Sequence, residues 1–335
     1  MTIETSWERA RERLSKHAAT GNLFYSKEFF DYTRKNRSTP VYLFEGDFCQ
    51  IVTIHKIKGL FTCATFPTEP ICFGKGSSFA AEQAFLDEVV AILKKTYRVD
   101  WTTVTAAGAN FSAYPSASRR IAFGNYILDL RPDETALFAK VTSKHRNMIR
   151  RGEKAGIAVR FGGEELLDDY LQVDRATWRR SGKNTDDAEQ YRSILRCFSD
   201  RALIGMAYLN GAPQCGLLGI FNSEMFYYMH GATADAPEPG ATHALQWKTI
   251  LRMKALGVKK YSFVGCRIRA DEDSKYKRIQ HFKEGFGGEL VQGYAFKCVL
   301  RPWKKKLFDL LMKLKTGSVP VDAIDQEIGK WAEIN

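Results

Sequence analysis

Lys283 stands third in the run His281-Phe282-Lys283-Glu284-Gly285-Phe286-Gly287-Gly288, which ends a stretch from Ser274 that reads as a helix with a Ser N-cap and a Gly stop. Successive residues advance about 100° around a helix axis. Tyr276, Ile279, Phe282 and Phe286 therefore gather on one side, with Lys283 between them. Burying an ammonium unpaired costs several kcal/mol or drives off its proton, so an anion, a developing oxyanion or a carboxylate should meet it. The alternative is a lysine that snorkels past the rings to water, and helix geometry alone leaves both open.

Two further basic segments carry chemistry. Ser143 to Ala155 places Lys144, Arg146, Arg150, Arg151 and Lys154 on one helix, a set that can follow a phosphate backbone or simply form a solvated face. The tail from Arg301 alternates lysines with Trp303, Leu307, Phe308, Leu310, Leu311 and Leu314. This basic amphipathic helix either suits an anionic bilayer surface or packs its apolar face on the protein and leaves its lysines in water. Other signatures are missing. The six histidines share no ligand spacing with a cysteine pair, so no metal is expected. The Gly74 to Ser78 stretch imitates a phosphate loop, but Glu69 stands where the first glycine belongs. No nucleophile elbow and no dinucleotide fingerprint occurs. The loop Pro237-Glu238-Pro239-Gly240-Ala241-Thr242 opens a long helix where acyl-CoA-dependent N-acetyltransferases cradle a diphosphate on free amides. Only Gly240 matches that pattern. Glu238 repels phosphate and two prolines remove donors, so no cofactor is expected and the transferred group must arrive already activated.

The elements that position these residues fall into two units. With 335 residues and 44% apolar content the chain can bury two cores of ordinary size. In the first, strands at Val41 to Phe44, Cys49 to Lys56 and Phe61 to Phe66 precede a helix from Ser78 to Lys95 and a strand at Trp101 to Thr105. In the second, strand Tyr126 to Leu130 leads to a basic helix (Glu134 to Ala155). Strand Ala158 to Phe161, two helices and a meander with an Asn210-Gly211 turn follow. Helix Ala241 to Leu256, strand Lys260 to Val264, the Lys283 helix and strand Glu289 to Leu300 complete it. Both share a meander, helix, strand plan, which points to a structural duplication. Mixed sheets flanked by helices, an α/β (α+β) class, are the consequence. The predicted divisions are 1–125, 126–300 and a helical tail, 301–335, packing back on the first unit. Fifty Lys plus Arg against thirty-eight Asp plus Glu leave +12, which favours polyanionic partners. Seven cysteines without CxxC spacing and no signal-like or membrane-spanning run point to a cytoplasmic protein.

In sum, the chain resembles the Fem peptidyltransferase family over roughly residues 126–300. The residues that carry the resemblance are RNMIRRGEKAG (146–156), YYMHGA (227–232), GATHALQW (240–247), KYSFVG (260–265) and, above all, 274–288. The resemblance implies two tandem GNAT-like domains, the first degenerate, and transfer of an amino acid from aminoacyl-tRNA to an amine of the peptidoglycan stem peptide, borne on a UDP-linked or lipid-linked precursor. The family's FK lysine falls on Lys283, with Phe282 lining the site. The tyrosine of its third meander strand falls on Tyr228, and Tyr191 and Arg180 fall near its substrate-binding tyrosine and arginine. Tyr276 joins them from the helix face. Where the family shows Gln-Ser, Trp and Lys in its first half, this chain has Tyr25-Ser26 and Phe29-Phe30, with Arg34 and Lys35 displaced. Peripheral contact with the inner membrane face goes with such a substrate. Two alternatives stand beside this reading: an acyl-CoA or other acyl donor used in polysaccharide or lipid modification, and a non-catalytic RNA or membrane adaptor.

Overall fold

The computed structural model describes residues 1–15, 21–74, 76–108, 110–182 and 187–334. Two sheets organise them. The first is built from β1 (Thr2–Glu4), β2 (Thr39–Glu45), β3 (Phe48–Ile57), β4 (Phe61–Thr68), β5 (Ile71–Cys72) and β6 (Trp101–Gly108), with α1 (Trp7–Ser15), α2 (Lys27–Lys35) and α3 (Phe79–Lys95) around it. Strand order is β1-β2-β3-β4-β6, β5 pairing β3. The helix α3 starts where its sequence says it should: the Ser78 side chain caps the Ala81 amide. Phe85, Leu86, Val89 and Leu93 then recur at helical spacing and are buried against the sheet.

The second sheet has seven strands in the order β13-β7-β12-β11-β10-β9-β8. They are β7 (Arg119–Asp129), β8 (Ala158–Gly162), β9 (Ala202–Leu209), β10 (Ala212–Phe221), β11 (Met225–Thr233), β12 (Lys260–Arg267) and β13 (Glu289–Lys297). Between them run α4 (Glu134–Lys140), α5 (Ser143–Lys154), α6 (Leu167–Arg180), α7 (Ala188–Phe198), α8 (Ala241–Ala255) and α9 (Lys275–Glu284). The segment expected as one basic helix is two helices, α4 and α5. They part at Val141 and Thr142, where the Thr142 amide donates to the Gly285 carbonyl at 2.9 Å. The end of the Lys283 helix thus supplies the acceptor that an unbroken helix would have provided internally.

All strand pairs of this sheet are antiparallel except β11 with β12. That pair is short: Met225, Phe226 and Tyr227 face Lys260, Tyr261 and Ser262, and the register ends there. Beyond Tyr227, β11 stays paired with β10 but its other edge has no strand against it. Irregularities lie on both sides of this opening. On β11 Met229 is an extra residue between the pairs Leu218–His230 and Gly219–Tyr228, and β12 shifts register between Ser262 and Gly265. Such bulges re-aim side chains and end pairing.

The two sheets are stitched at one edge. Thr102 donates to the Cys298 carbonyl at 2.9 Å, and Leu300 donates to Asp100 at 2.9 Å, so the chain leaving β13 runs along β6. The tail then divides between the sheets: α10 (Pro302–Thr316) sets Phe308 against Phe61 and Trp101 of the first. By contrast, α11 (Ala323–Ile334) packs Ile324 among Ile121, Phe123 and Ala295 of the second. The buried Lys297 ammonium pairs with Asp322 and Asp325 and anchors it there. The tail, expected to pack back on the first unit, therefore also packs on the second. No helix among the described residues is long and apolar enough to cross a membrane.

Candidate active site

The opening between β11 and β12 is a cavity of about 710 Å³, floored by β10 and β11 and walled by α8 and α9. Lys283 lines it and is only 6% exposed. The helix that carries it forms as its sequence dictates, with the Ser274 side chain capping the Lys277 amide at 3.1 Å. At its other end Gly285 leaves room for the His145 ring, which a Cβ there would meet at about 2.3 Å. The left-handed residue that turns the chain is Gly287, at φ 82°.

Two backbone carbonyls hold the ammonium. Its Nζ donates to Val264 O at 2.9 Å and to Gly265 O at 2.6 Å. These carbonyls lie in the bulge of β12, where Val264 takes φ 50°, a region that a β-branched residue enters only under strain. Neutral carbonyl dipoles satisfy two of the three N–H donors without cancelling the charge. Among the described residues no carboxylate lies within ion-pair distance of Lys283. Burial lowers its pKa to about 8, which leaves roughly nine in ten molecules protonated at pH 7. The cavity lining also includes the Tyr228 hydroxyl, Thr242 and Gln246 but no carboxylate or imidazole. Tyr228 reaches inward over Gly231, where an added Cβ would stand 1.9 Å from its hydroxyl oxygen.

Phe282 separates this cavity from a second, of about 620 Å³, lined by His145, His243, Lys144, Arg278 and His281 among others. His145 faces the Phe282 carbonyl through Nε2 at 3.1 Å and the Thr142 hydroxyl through Nδ1 at 3.2 Å. A carbonyl only accepts, so Nε2 carries the proton and Nδ1 accepts from Thr142. Burial lowers the His145 pKa and takes that of His243, its edge-to-face neighbour, to about 4. A neutral imidazole thus ties the start of α5 to the peptide unit preceding Lys283.

Of the residues singled out from the sequence, Lys283, Phe282 and Tyr228 meet in the cavity. The others do not reach it. Tyr191 is fully buried and donates to Asp174 at 3.2 Å. Arg180 binds the Thr233 and Ala234 carbonyls and Asp235, bracing the end of β11 instead of facing a ligand. Tyr276 lies under the Arg267 guanidinium, 3.7 Å from its ring centroid, and donates to Gln326 of α11. A half-exposed ring two turns before Lys283 on the same face of α9 finds that cation before it finds the lysine. Lys144, Arg150, Arg151 and Lys154 are exposed on α5. Arg146 is spent on the carbonyls of Ala139 and Val141 that end α4. Sequence reading missed Gln246, Gly231, His145 and His243; only the glycine following the Tyr-Tyr-Met-His run offers a local signal.

At the start of α8 two amides are bonded within the protein. The Glu238 amide donates to Gln214, and the Ala241 amide donates to Glu238 O. Gly240, at φ 100°, lies so close to α5 that a Cβ would meet Met148 O at 2.5 Å and Gly152 N at 2.6 Å.

Residues 139–278 match the model of the acetyltransferase (GNAT) domain family. This segment is similar to acetyltransferase (GNAT) domains. Its meander, the helix α8 and the parting of β11 from β12 lie within it, while Lys283 lies five residues beyond the matched segment. Among solved structures, that of FemX superposes with a TM-score of 0.66 at 14% identity, covering 92% of this chain and 99% of the other. The C-terminal domain of a putative lysylphosphatidylglycerol synthetase from Agrobacterium fabrum gives 0.54 at 12% identity, covering 92% and 98%. A tandem GNAT protein from the clavulanic acid biosynthesis pathway gives 0.52 at 12%, covering 88% and 98%. At these identities the likeness is one of fold, and the fold is the expected Fem-like pair of GNAT-like domains. No curated protein sequence matches this chain.

Proposed function

We propose that this GNAT protein moves an aminoacyl group from the 3′ ester of an aminoacyl-tRNA to a primary amine on the stem peptide of a peptidoglycan precursor. The observation that carries the proposal is the buried, still cationic Lys283 in the opened seam, held by dipoles and left without a counter-charge. The amine attacks the ester carbonyl, the C–N bond forms, the C–O bond to ribose breaks, and the amine's proton is passed on while the ribose oxygen takes one up. Lys283 stabilises the oxyanion or the departing oxygen with its remaining N–H. An ester is activated enough to proceed without metal, nucleotide or other cofactor. With no base in the lining, the amine enters neutral or hands its proton to water or substrate. The exposed cations of α5 contact the RNA backbone.

Two further features support this reading over an acyl-CoA donor. At the start of α8 the Glu238 and Ala241 amides are bonded within the protein, and Gly240 is packed against α5. One structural neighbour bears a name that joins a lysyl group to a lipid. The substrates imply a cytoplasmic protein working at or near the inner face of the membrane.

Purified protein incubated with charged tRNA and either nucleotide-linked or lipid-linked muropeptide should add one aminoacyl residue to one acceptor, a gain read by mass spectrometry and abolished by RNase. Turnover of CoA thioesters that is indifferent to RNase, with no aminoacyl gain, would replace this reading by the acyl-CoA one.

A further inference from the structure

The tail helix α10 turns most of its apolar surface outward. Phe308 alone among its large apolar residues reaches the aromatic pair Phe61 and Trp101. Trp303 is 64%, Leu310 54% and Leu314 76% exposed, and Leu307 and Leu311 are exposed beside them. At about 100° per residue these five fall within roughly 100° of arc, one continuous stripe. Lys306 and Lys313 border one edge and Lys315 the other, all three exposed. The turn between β3 and β4 extends the patch: Leu60, 65% exposed, accepts from Lys304 through its carbonyl and stands next to the exposed Lys58. The one acid of the helix, Asp309, faces away from the stripe and is paired with Lys305.

We infer that this face docks on an anionic lipid bilayer. An apolar stripe between lysines, with a tryptophan at its end, lets leucines enter the acyl boundary while the ammonium groups meet lipid phosphates. Charge argues for this occupant over a second copy of the chain. The segment from Arg301 to Thr316 carries six Lys and Arg against one Asp, a net +5, and a two-fold interface would press that charge against itself. Nor does the chain cover the stripe itself, since α11 is seated on β7 and β13 through Ile324 and Lys297.

Flotation with vesicles of phosphatidylcholine alone or with about one-third phosphatidylglycerol tests the inference. It needs no transfer substrate, so its outcome is independent of the reaction proposed above. Binding is expected to the anionic vesicles only and to be weakened by high salt. Leu310→Glu with Leu314→Glu should abolish it while the melting temperature holds, because both side chains are already in water. Replacing Lys306, Lys313 and Lys315 by Gln should weaken it on the order of 100-fold. Equal binding to neutral vesicles, no binding, or full binding by the Leu310/Leu314 variant overturns the inference. So does a concentration-dependent dimer, seen by sedimentation, that the same variant dissolves.

Discussion

In the first sheet the parallel strands β4 and β6 pair from Cys63–Trp101 to Phe66–Val104 and, past a register shift, again at Thr68–Gly108, whereas in the second β11 and β12 separate after three pairs. Both pairs end the same plan, an antiparallel meander that passes through a helix to a strand parallel with the last of the meander. In the first, threonines close the seam: the Thr65 and Thr103 hydroxyls bond at 3.0 Å, and Thr105 donates to Pro67 O at 2.8 Å. In the second, bulges at Met229 and Val264 push the strands apart, and the gap holds Tyr228 and Lys283. A site in this plan is a seam left unzipped. It costs strain at Val264, of order 1–3 kcal/mol, and the desolvation of an ammonium. Among the described residues the first seam is held by hydroxyl bonds, with no buried ammonium to desolvate.

The contrast can be broken most sharply at Lys283. Lys283→Met should lower turnover on the order of a hundredfold, the loss of about 3 kcal/mol of oxyanion stabilisation, with the circular-dichroism spectrum unchanged; wild-type turnover would empty the open seam of its proposed role. The pH profile tests the same group more gently. An acceptor amine of pKa near 10.4 makes log kcat/KM climb with slope one, while Lys283, whose pKa is lowered to about 8, loses its charge as pH rises through that value. The climb should therefore level near pH 8, leaving the rate at pH 9 about tenfold below the extrapolated line. Lys283→Arg, cationic throughout, should lose the bend even if it is slow.

Gly231→Ala sets a methyl against the Tyr228 hydroxyl and should cost roughly tenfold in kcat/KM if that hydroxyl orients substrate, each tenfold being about 1.4 kcal/mol. Steady-state kinetics alongside a melting curve separate this from misfolding. The smallest effect belongs to the closed seam. Thr103→Val removes one half-buried hydroxyl bond and should lower unfolding free energy by about 1 kcal/mol with no change in turnover, measured by urea titration and the same assay.

Much of this was legible in the residues. The Ser274 cap, the glycines after Glu284 and the aromatic spacing located α9 and the odd lysine on its seam, because caps and helical periodicity are local properties. The meanders and the duplication showed for the same reason. What stayed hidden was non-local. The break between α4 and α5 depends on the Gly285 carbonyl over a hundred residues away, and the partners of His145 depend on Thr142 and Phe282 together. Tyr276 looked like a site residue because an aromatic ring at helical spacing does not declare which neighbour will take it, and Tyr191 because the family places a tyrosine near it; Arg267 and Asp174 took them instead.

By itself the sequence determined where most helices and strands lie, that one lysine stands on the apolar seam of a helix, and that phosphate loops and metal ligand spacings are lacking. Tertiary structure alone decided that β11 and β12 part, that the Val264 and Gly265 carbonyls receive the ammonium, and that the tail helix shows water its leucines. The reason is physical. Local propensities act over a few residues, whereas burial, strand register and the pKa of a buried lysine are set by atoms that meet only once the chain has closed on itself.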